Sequence, residues 1–491
     1  MKRTDAWIMA ALALAQLLLS LSRLAPLTCV GAHDSASYYG MARHFARGDG
    51  LIDDVLWCFL RPNSAVVRPG GDYWPPGWPL LLGTGMMILG TSQGSALLVV
   101  ALVSCWVPAL TYALARFCGA SRPASALAGL LFLGQGWMAN ALVVPDVAAS
   151  YLLAALVSFC AWHLLSKTPA QSCLAGFIAM QAMAVRGEGF IVLAALWLGR
   201  PNRWTLLGGV LGTLPLTLFN LYSFGAPAPP VRAKLPCLTS YPQLYSYLSE
   251  PSWDLWLHSQ PWKSIAWTMS THWKMVWLDL PWPLILLALA GASRVWRQPL
   301  GRALLAWIAL CWLVPELLVP LAAAVDRPEK HTSAMMCVLA ASFLDSWLLA
   351  GRFKTAAAVL AAYLATSWYW PSPPWQSRQW NWSEWQSPPR YLLESQQIRA
   401  QLQLDQRPLV MSGEPAQLGA CLDVPCVGTP MDGEAGIYAA IRDYRPRYLV
   451  IYPESPLAYF EQATQLQGLP VEGRIDLPGC SWVRLNWGKV L

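Results

Sequence analysis

Apolar runs close to twenty residues long recur from residue 6 to residue 370, and they constrain this chain more than any other feature. A helix needs about 20 predominantly apolar residues to cross some 30 Å of hydrocarbon, where only helices and closed barrels satisfy their own backbone. On that measure, spans are expected at 6–26, 96–116, 122–141, 146–166, 171–185, 187–199, 204–223, 279–293, 302–323, 332–350 and 354–370. Composition agrees: charged residues make up 12% of the chain and hydrophobic residues 55%, against about 25% charged in ordinary soluble domains. Disorder, collagen, coiled coil and a small disulfide scaffold are excluded. The first run follows Lys2 and Arg3. A cleavable signal peptide is the rival reading, but no small-residue cleavage site follows cleanly, which favours a retained span.

The run Trp78–Gly90 is bounded by Pro75-Pro76 and Thr91-Ser92 and is too short to cross, so it reads as a helix lying in the interface. With a cytoplasmic amino terminus, five loops then fall inside: Arg116/Arg122, Lys167, Arg200/Arg203, Arg294/Arg297/Arg302 and Arg352/Lys354. They hold ten basic residues and no acidic one, the positive-inside pattern. Counting Trp78–Gly90 as a crossing would put all ten outside. The net charge is +7, yet no basic cluster interleaves with aromatics as nucleic-acid binding would require.

Three large pieces lie outside on this reading: 27–95, 224–278 and 371–491. The middle one carries Trp253, Trp256, Trp262, Trp267, Trp273 and Trp277, a density that suits anchoring at headgroup level. In the tail, Pro408–Ser412, Val427–Pro430, Arg447–Tyr452, Val471–Leu477 and Ser481–Asn486 read as strands, and Glu434–Asp443 and Pro456–Leu466 as helices. Such alternation predicts a small α/β soluble domain over 371–491, beyond a polytopic α-helical membrane part of about 11 transmembrane helices over 1–370. The tail has no glycine-rich phosphate fingerprint, so a structural or acceptor-facing role is expected of it. Cys29, Cys58, Cys237, Cys421, Cys426 and Cys480 fall outside, where disulfides persist; a Cys421–Cys426 pair is open, and Cys29–Cys58 less favoured. No Cys-x-x-Cys spacing points to zinc. Asn381-Trp382-Ser383 fits a glycosylation sequon, a tripeptide common by chance.

The densest polar constellation opens the first outer loop: His33-Asp34-Ser35-Ala36-Ser37-Tyr38-Tyr39, then Ala42-Arg43, Arg47-Gly48-Asp49-Gly50 and Asp72-Tyr73-Trp74-Pro75-Pro76-Gly77-Trp78-Pro79. Asp34 is placed to face a membrane-embedded cavity, or simply to cap a helix through Tyr38–Phe45. A second feature is the pair of short runs 171–185 and 187–199, roughly 22 and 20 Å long at 1.5 Å per residue. Their junction, Arg186-Gly187-Glu188-Gly189, would lie below the outer surface, where charged side chains are functional candidates. Reading 171–199 as one long tilted span is the alternative, and it would reverse the sidedness of every later basic loop. A third cluster, Asp326-Arg327-Pro328-Glu329-Lys330-His331, follows the ninth span; Glu316 lies within that span, and Asp146 opens the fourth. Helix capping by Asp146 and a solvated loop at 326–331 are the plain readings.

In their order and sidedness these motifs resemble the GT-C glycosyltransferases, the superfamily that includes protein O-mannosyltransferases and the bacterial transferase that puts aminoarabinose on lipid A. Asp34, Tyr38 or Tyr39, Ala42-Arg43, Gly48 and Gly50 resemble the family's Asp-Glu…Tyr…Ala-Arg…Gly-Gly. Tyr73-Trp74-Pro75-Pro76-Gly77-Trp78-Pro79 is similar to its Tyr-Pro-Pro-Gly-Tyr-Pro, Val144-Pro145-Asp146 to the acid opening span four, and Val185-Arg186-Gly187-Glu188-Gly189 to its Thr-Lys/Arg-Pro-Glu-Gly. The resemblance covers most of the membrane part. It implies a sugar donor on a polyprenyl phosphate and a glycan, lipid or protein acceptor, in the inner (plasma) membrane of a bacterial cell, with the carboxyl terminus extracytoplasmic. It further implies Asp34 as general base and donor-phosphate contacts from Arg186, with Lys330 and His331 after it. Tyr38, Tyr39, Arg43, Asp146, Glu188 and Glu316 complete the candidate set. Ser35 stands where many relatives have Glu. In metal-using members that acidic pair helps hold the ion, so no cofactor is firmly implied and a divalent metal is open but disfavoured. The rival class is a transporter or flippase of a lipid-linked substrate; no internal repeat supports it, and its carboxylates would sit at mid-membrane. A non-catalytic scaffold would leave Arg186 and Glu188 at depth without a reason.

Overall fold

The structure is a computed structural model that describes the chain apart from 271–281, 319–327, 370–389, 453–468 and scattered shorter breaks. It divides into two compact units, the first made of Met1–Ala25, Leu97–Tyr222 and Lys263–Arg378, the second of Pro26–Ala96, Ser223–Trp262 and Gln379–Leu491.

Unit one is helical. Among the described residues, five helices are long and apolar enough to cross a membrane: Arg3–Leu24, Gln93–Phe117, Val147–Leu165, Arg203–Phe224 and Lys330–Leu349. Shorter apolar helices occupy the other expected positions, among them Arg122–Leu133, Pro169–Val185, Gly187–Gly199, Pro283–Val295, Pro299–Val314 and Phe353–Tyr363. The second span is broken after Ser104, where Pro108 has no N–H to return to the Ser104 carbonyl. In the third, the helix Arg122–Leu133 is C-capped by Gly134, and most of 136–141 lies outside the described residues. The two short helices meet as the sequence suggests. Pro169–Met180 is capped by the Thr168 hydroxyl and continues into Ala182–Val185; Arg186 turns the chain into extended backbone at φ −149°, and a 3-10 turn at Gly187–Gly189 leads into Phe190–Gly199. Small residues let backbones touch: a Cβ at Gly176 would collide with the Thr205 carbonyl, and one at Gly208 with that of Cys173. Close approach of this kind is how apolar helices associate where the hydrophobic effect offers no drive.

Unit two is built on a six-stranded sheet. In spatial order its strands are β2 (Val55–Leu56), β5 (Cys426–Gly428), β4 (Val410–Ser412), β6 (Tyr448–Ile451), β8 (Cys480–Leu485) and β7 (Val471–Leu477). The first four run parallel, and β8 and β7 close the sheet antiparallel. A separate two-residue ladder pairs β1 (Ile52–Asp53) with β3 (Arg68–Pro69). The central strands are buried throughout, as parallel strands covered on both faces are. Leu56, Phe59, Met411, Val427, Ile441, Leu449 and Val483 share their core. Strands stand within or beside all five tail segments expected, and Gly433–Tyr444 is the expected helix. The segment 456–466 lies outside the described residues, as do Trp267, Trp273, Trp277 and the sequon at 381–383. Where the sequence set the tail apart at residue 371, the compact unit also takes in Pro26–Ala96 and Ser223–Trp262.

No disulfide forms among the described residues, so neither Cys421–Cys426 nor Cys29–Cys58 is bonded. The Cys421 thiol, in the last turn of the helix Pro415–Leu422, meets the Gln93 amide at 3.8 Å, whereas Cys426 is buried at the start of β5 against the Val424 carbonyl.

Candidate functional site

The candidate residues fall into two groups, one in each unit. In unit two the helix His33–Arg47 starts well before the expected Tyr38, so Asp34 lies within its first turn, half-buried, rather than at the cap. A carboxylate there is favoured by the free amides and positive end of the helix dipole. Ser35, beside it, is buried. Four residues on, Tyr38 is fully buried against Trp74, 5.2 Å between rings. Tyr39 donates to the Thr91 carbonyl at 2.9 Å, and one turn later the Arg43 guanidinium lies over its ring at 5.3 Å. Arg43 itself reaches the tail: it donates to the carbonyls of Ala420 (3.0 Å) and Gly419 (3.4 Å) and pairs with Asp423 at 3.0 Å. Burial pushes the Asp423 carboxyl up, but Arg43, Arg47 and Arg407 outweigh it and hold the group below its ordinary value. The helix Gly77–Leu89 packs on this helix closely enough that a Cβ at Gly83 would lie 2.8 Å from the Ala42 carbonyl.

His44, which sequence reasoning passed over, sits between two carboxylates: Nδ1 lies 2.9 Å from Asp49 and Nε2 2.9 Å from Asp54. Arg407 joins Asp54 at 2.6 Å. Hydrogen bonding to Asp54 raises the His44 pKa and outweighs burial, which lowers it.

In unit one the structure gathers Arg186, Glu188 and His331 around one side chain. Tyr151, 1% exposed, stands about one turn into the helix that Asp146 caps through its carboxylate and the Val147 amide. Its hydroxyl donates to the Glu188 backbone carbonyl at 3.2 Å; the Arg186 guanidinium lies 5.8 Å from its ring centre, and the buried His331 meets that ring edge-on at 4.8 Å. Trp307 packs on the same ring at 5.7 Å. Arg186 is 8% exposed and paired side-on with Glu188, Nε to Oε2 at 3.0 Å and Nη2 to Oε1 at 3.3 Å. A planar guanidinium held this way keeps further N–H donors for a second anion. Lys330 and His331 belong to the helix Pro328–Leu349 rather than to a solvated loop, and His331 is 5% exposed. The backbone at Glu316 is helical; its side chain, with Asp326 and Arg327, lies outside the described residues. Asp146 is the helix cap of the plain reading. Tyr151 and Trp307 carried no sequence signal beyond being aromatic in an apolar span. Among the described residues no three His, Cys, Asp or Glu side chains converge to hold a metal ion.

No family model matches the sequence, and no curated protein is similar enough to match it. Solved structures do. The oligosaccharyltransferase of Archaeoglobus fulgidus in its apo form matches with 13% identity and a TM-score of 0.56, over 92% of this chain and 70% of that one. ArnT from Cupriavidus metallidurans bound to undecaprenyl phosphate matches with 14% identity and a TM-score of 0.56, over 98% of both chains. The apo state of that ArnT gives 14% and 0.53 over the same shares. At these identities the likeness is one of fold, and the fold of this chain is the one that the oligosaccharyltransferase and ArnT structures share.

Proposed function

We propose that this chain is an integral membrane glycosyltransferase that moves a sugar from a polyprenyl-phosphate donor to an acceptor hydroxyl or amine on the extracytoplasmic side. The observation that carries the reading is Arg186, buried and presented by two short helices beside Tyr151 and His331, in a fold shared with an ArnT solved with undecaprenyl phosphate. A guanidinium at membrane depth is costly unless it has anionic partners. Glu188 supplies one, and a lipid phosphate is chemically suited to be the second.

In this mechanism Asp34 takes the proton from the acceptor as its oxygen or nitrogen attacks the anomeric carbon, the bond to the phosphate oxygen breaks, and a polyprenyl phosphate leaves. One displacement inverts the configuration at that carbon. Charge grows on the departing phosphate, and fixed donors in a partly dry site stabilise it; Arg186 fills that role, with Lys330 and His331 as lesser contributors. The eleven-span arrangement, with ten basic and no acidic residues in its inner loops, supports a cytoplasmic amino terminus and extracytoplasmic 27–95, 224–278 and 371–491.

The test is turnover against donor concentration with a synthetic polyprenyl-phosphate sugar. Arg186→Lys keeps the charge and loses the two-pronged grip, so a mild loss is expected; Arg186→Ala should lose about 10²–10³. Asp34→Asn should leave donor binding intact and lower turnover by about 10²–10⁴. Parent-like turnover in Arg186→Ala and Asp34→Asn overturns these assignments, and transport of the lipid-linked substrate without sugar transfer would favour the flippase class.

A further inference from the structure

Tyr151 touches both halves of the Arg186–Glu188 pair, and it does so with different atoms. Its hydroxyl holds the Glu188 backbone carbonyl at 3.2 Å while its ring faces the Arg186 guanidinium at 5.8 Å. The other side of the turn is fixed by packing, because a Cβ at Gly189 would collide with the backbone of Ala182 and Met183. At Gly187, by contrast, a Cβ would meet nothing within 4 Å, so the turn has slack there. The backbone that carries Arg186 and Glu188 is therefore clamped at Gly189 by contact and at Glu188 by the tyrosine. The Glu188 side chain is the more exposed of the pair, at 25% against 9% for that of Arg186.

From this juxtaposition we propose that Tyr151 is a positioning residue for the anion that Arg186 binds: it holds the guanidinium and the 187–189 turn in place while the Glu188 carboxylate gives way to the incoming phosphate. The proposal rests on the reading of Arg186 as a donor-phosphate contact. Buried among Trp307 and His331, Tyr151 has its ring fixed by packing, so removing the hydroxyl alone leaves that packing while releasing the turn. Phosphate affinity should then fall without loss of fold. The cation–π contact adds a second component that depends on the ring instead of the hydroxyl.

The experiment is a double-mutant cycle on binding of undecaprenyl phosphate to the full chain in detergent, with Tyr151→Phe, Arg186→Ala and the combination. Tyr151→Phe should weaken binding about fivefold, the loss expected of one neutral hydrogen bond, and Tyr151→Leu about a further two- to fivefold. In the Arg186→Ala background the same Tyr151→Phe change should alter binding less than twofold. A merely structural tyrosine would instead give equal losses in both backgrounds, and that result overturns the proposal, as does parent-like binding by Tyr151→Phe. A parent that fails to bind undecaprenyl phosphate sinks the donor-phosphate reading instead. In that case the same four proteins, melted without lipid, decide for Tyr151: additive changes in melting temperature mean it does not position Arg186, whereas coupled changes mean it does.

Discussion

Removing Arg43 should cost unit two more stability than any comparable change on the same helix. The side chain is 4% exposed, and it crosses from the helix His33–Arg47 to the C-terminal end of the helix Pro415–Leu422. There it donates to the Ala420 carbonyl, in the last turn, and to the Gly419 carbonyl, which also accepts the Asp423 amide, and it pairs with Asp423. Hydrogen bonds from a charged donor contribute about 1.5–3 kcal/mol each. The ion pair lies between two limits: breaking a buried pair costs about 3–5 kcal/mol, an exposed pair is worth less than about 1, and Asp423 is 26% exposed. Arg47, 2.6 Å from Asp423, and Arg407, at 3.9 Å, stay behind to neutralise it. About 3 kcal/mol is therefore expected for Arg43→Ala, which at roughly 2–4 °C per kcal/mol for a unit of 150–250 residues lowers the melting temperature by about 6–12 °C. Arg43→Lys should fall between, since it keeps the charge and loses the fork. Thermal unfolding of the purified protein, followed by tryptophan fluorescence, reads both. A melting temperature within about 2 °C of the parent for Arg43→Ala, together with loss of sugar transfer, would refute this reasoning and make Arg43 a residue of the reaction instead.

Two further outcomes are open to direct measurement. His44 has a folded pKa above its unfolded value near 6.5, so its stabilisation is complete below about 6.5 and is lost as pH rises through the folded value. The parent's melting temperature should fall across that window; His44→Gln should flatten the fall, and an unchanged slope would refute it, Asp49, Asp54 and Arg407 being the charged partners involved. For sidedness, Val471→Cys, exposed on β7, should react with a membrane-impermeant thiol reagent in intact cells; reaction only after the membrane is breached would place the tail inside.

What the sequence made legible follows from length scales. A described helix overlaps every expected apolar run, because long apolar stretches have few other options, and five of these helices are long enough to cross a membrane. Helix ends were less legible: the Asp34 helix begins at His33, since a His-Asp-Ser-Ala-Ser opening looks like a cap as much as a first turn. The tail strands announced themselves through short runs of branched apolar residues. β2 could not, because two residues become a strand only through their partners Cys426 and Val427. Arg43 looked like part of a reaction motif, and its neighbours on a helix nearly four hundred residues away were invisible. Tyr151 was hidden for the opposite reason: one tyrosine in an apolar helix looks like packing until its hydroxyl is seen on the Glu188 carbonyl.

The pairing of β2 with β5 has a consequence in time. Translation proceeds at about 5–20 residues per second, and Arg43 precedes the Ala420 carbonyl it binds by 377 residues. The segment 27–95 is therefore made roughly 20–75 s before its partner strand exists, and the helices of unit one after Arg3–Leu24 are synthesised during that wait. Its buried polar groups, Arg43, His44 and Asp54 among them, stay without their tail partners throughout. Nascent chains of this protein should thus expose a long-lived, protease-sensitive and chaperone-accessible loop, and a ribosome stalled before codon 426 should leave it permanently open.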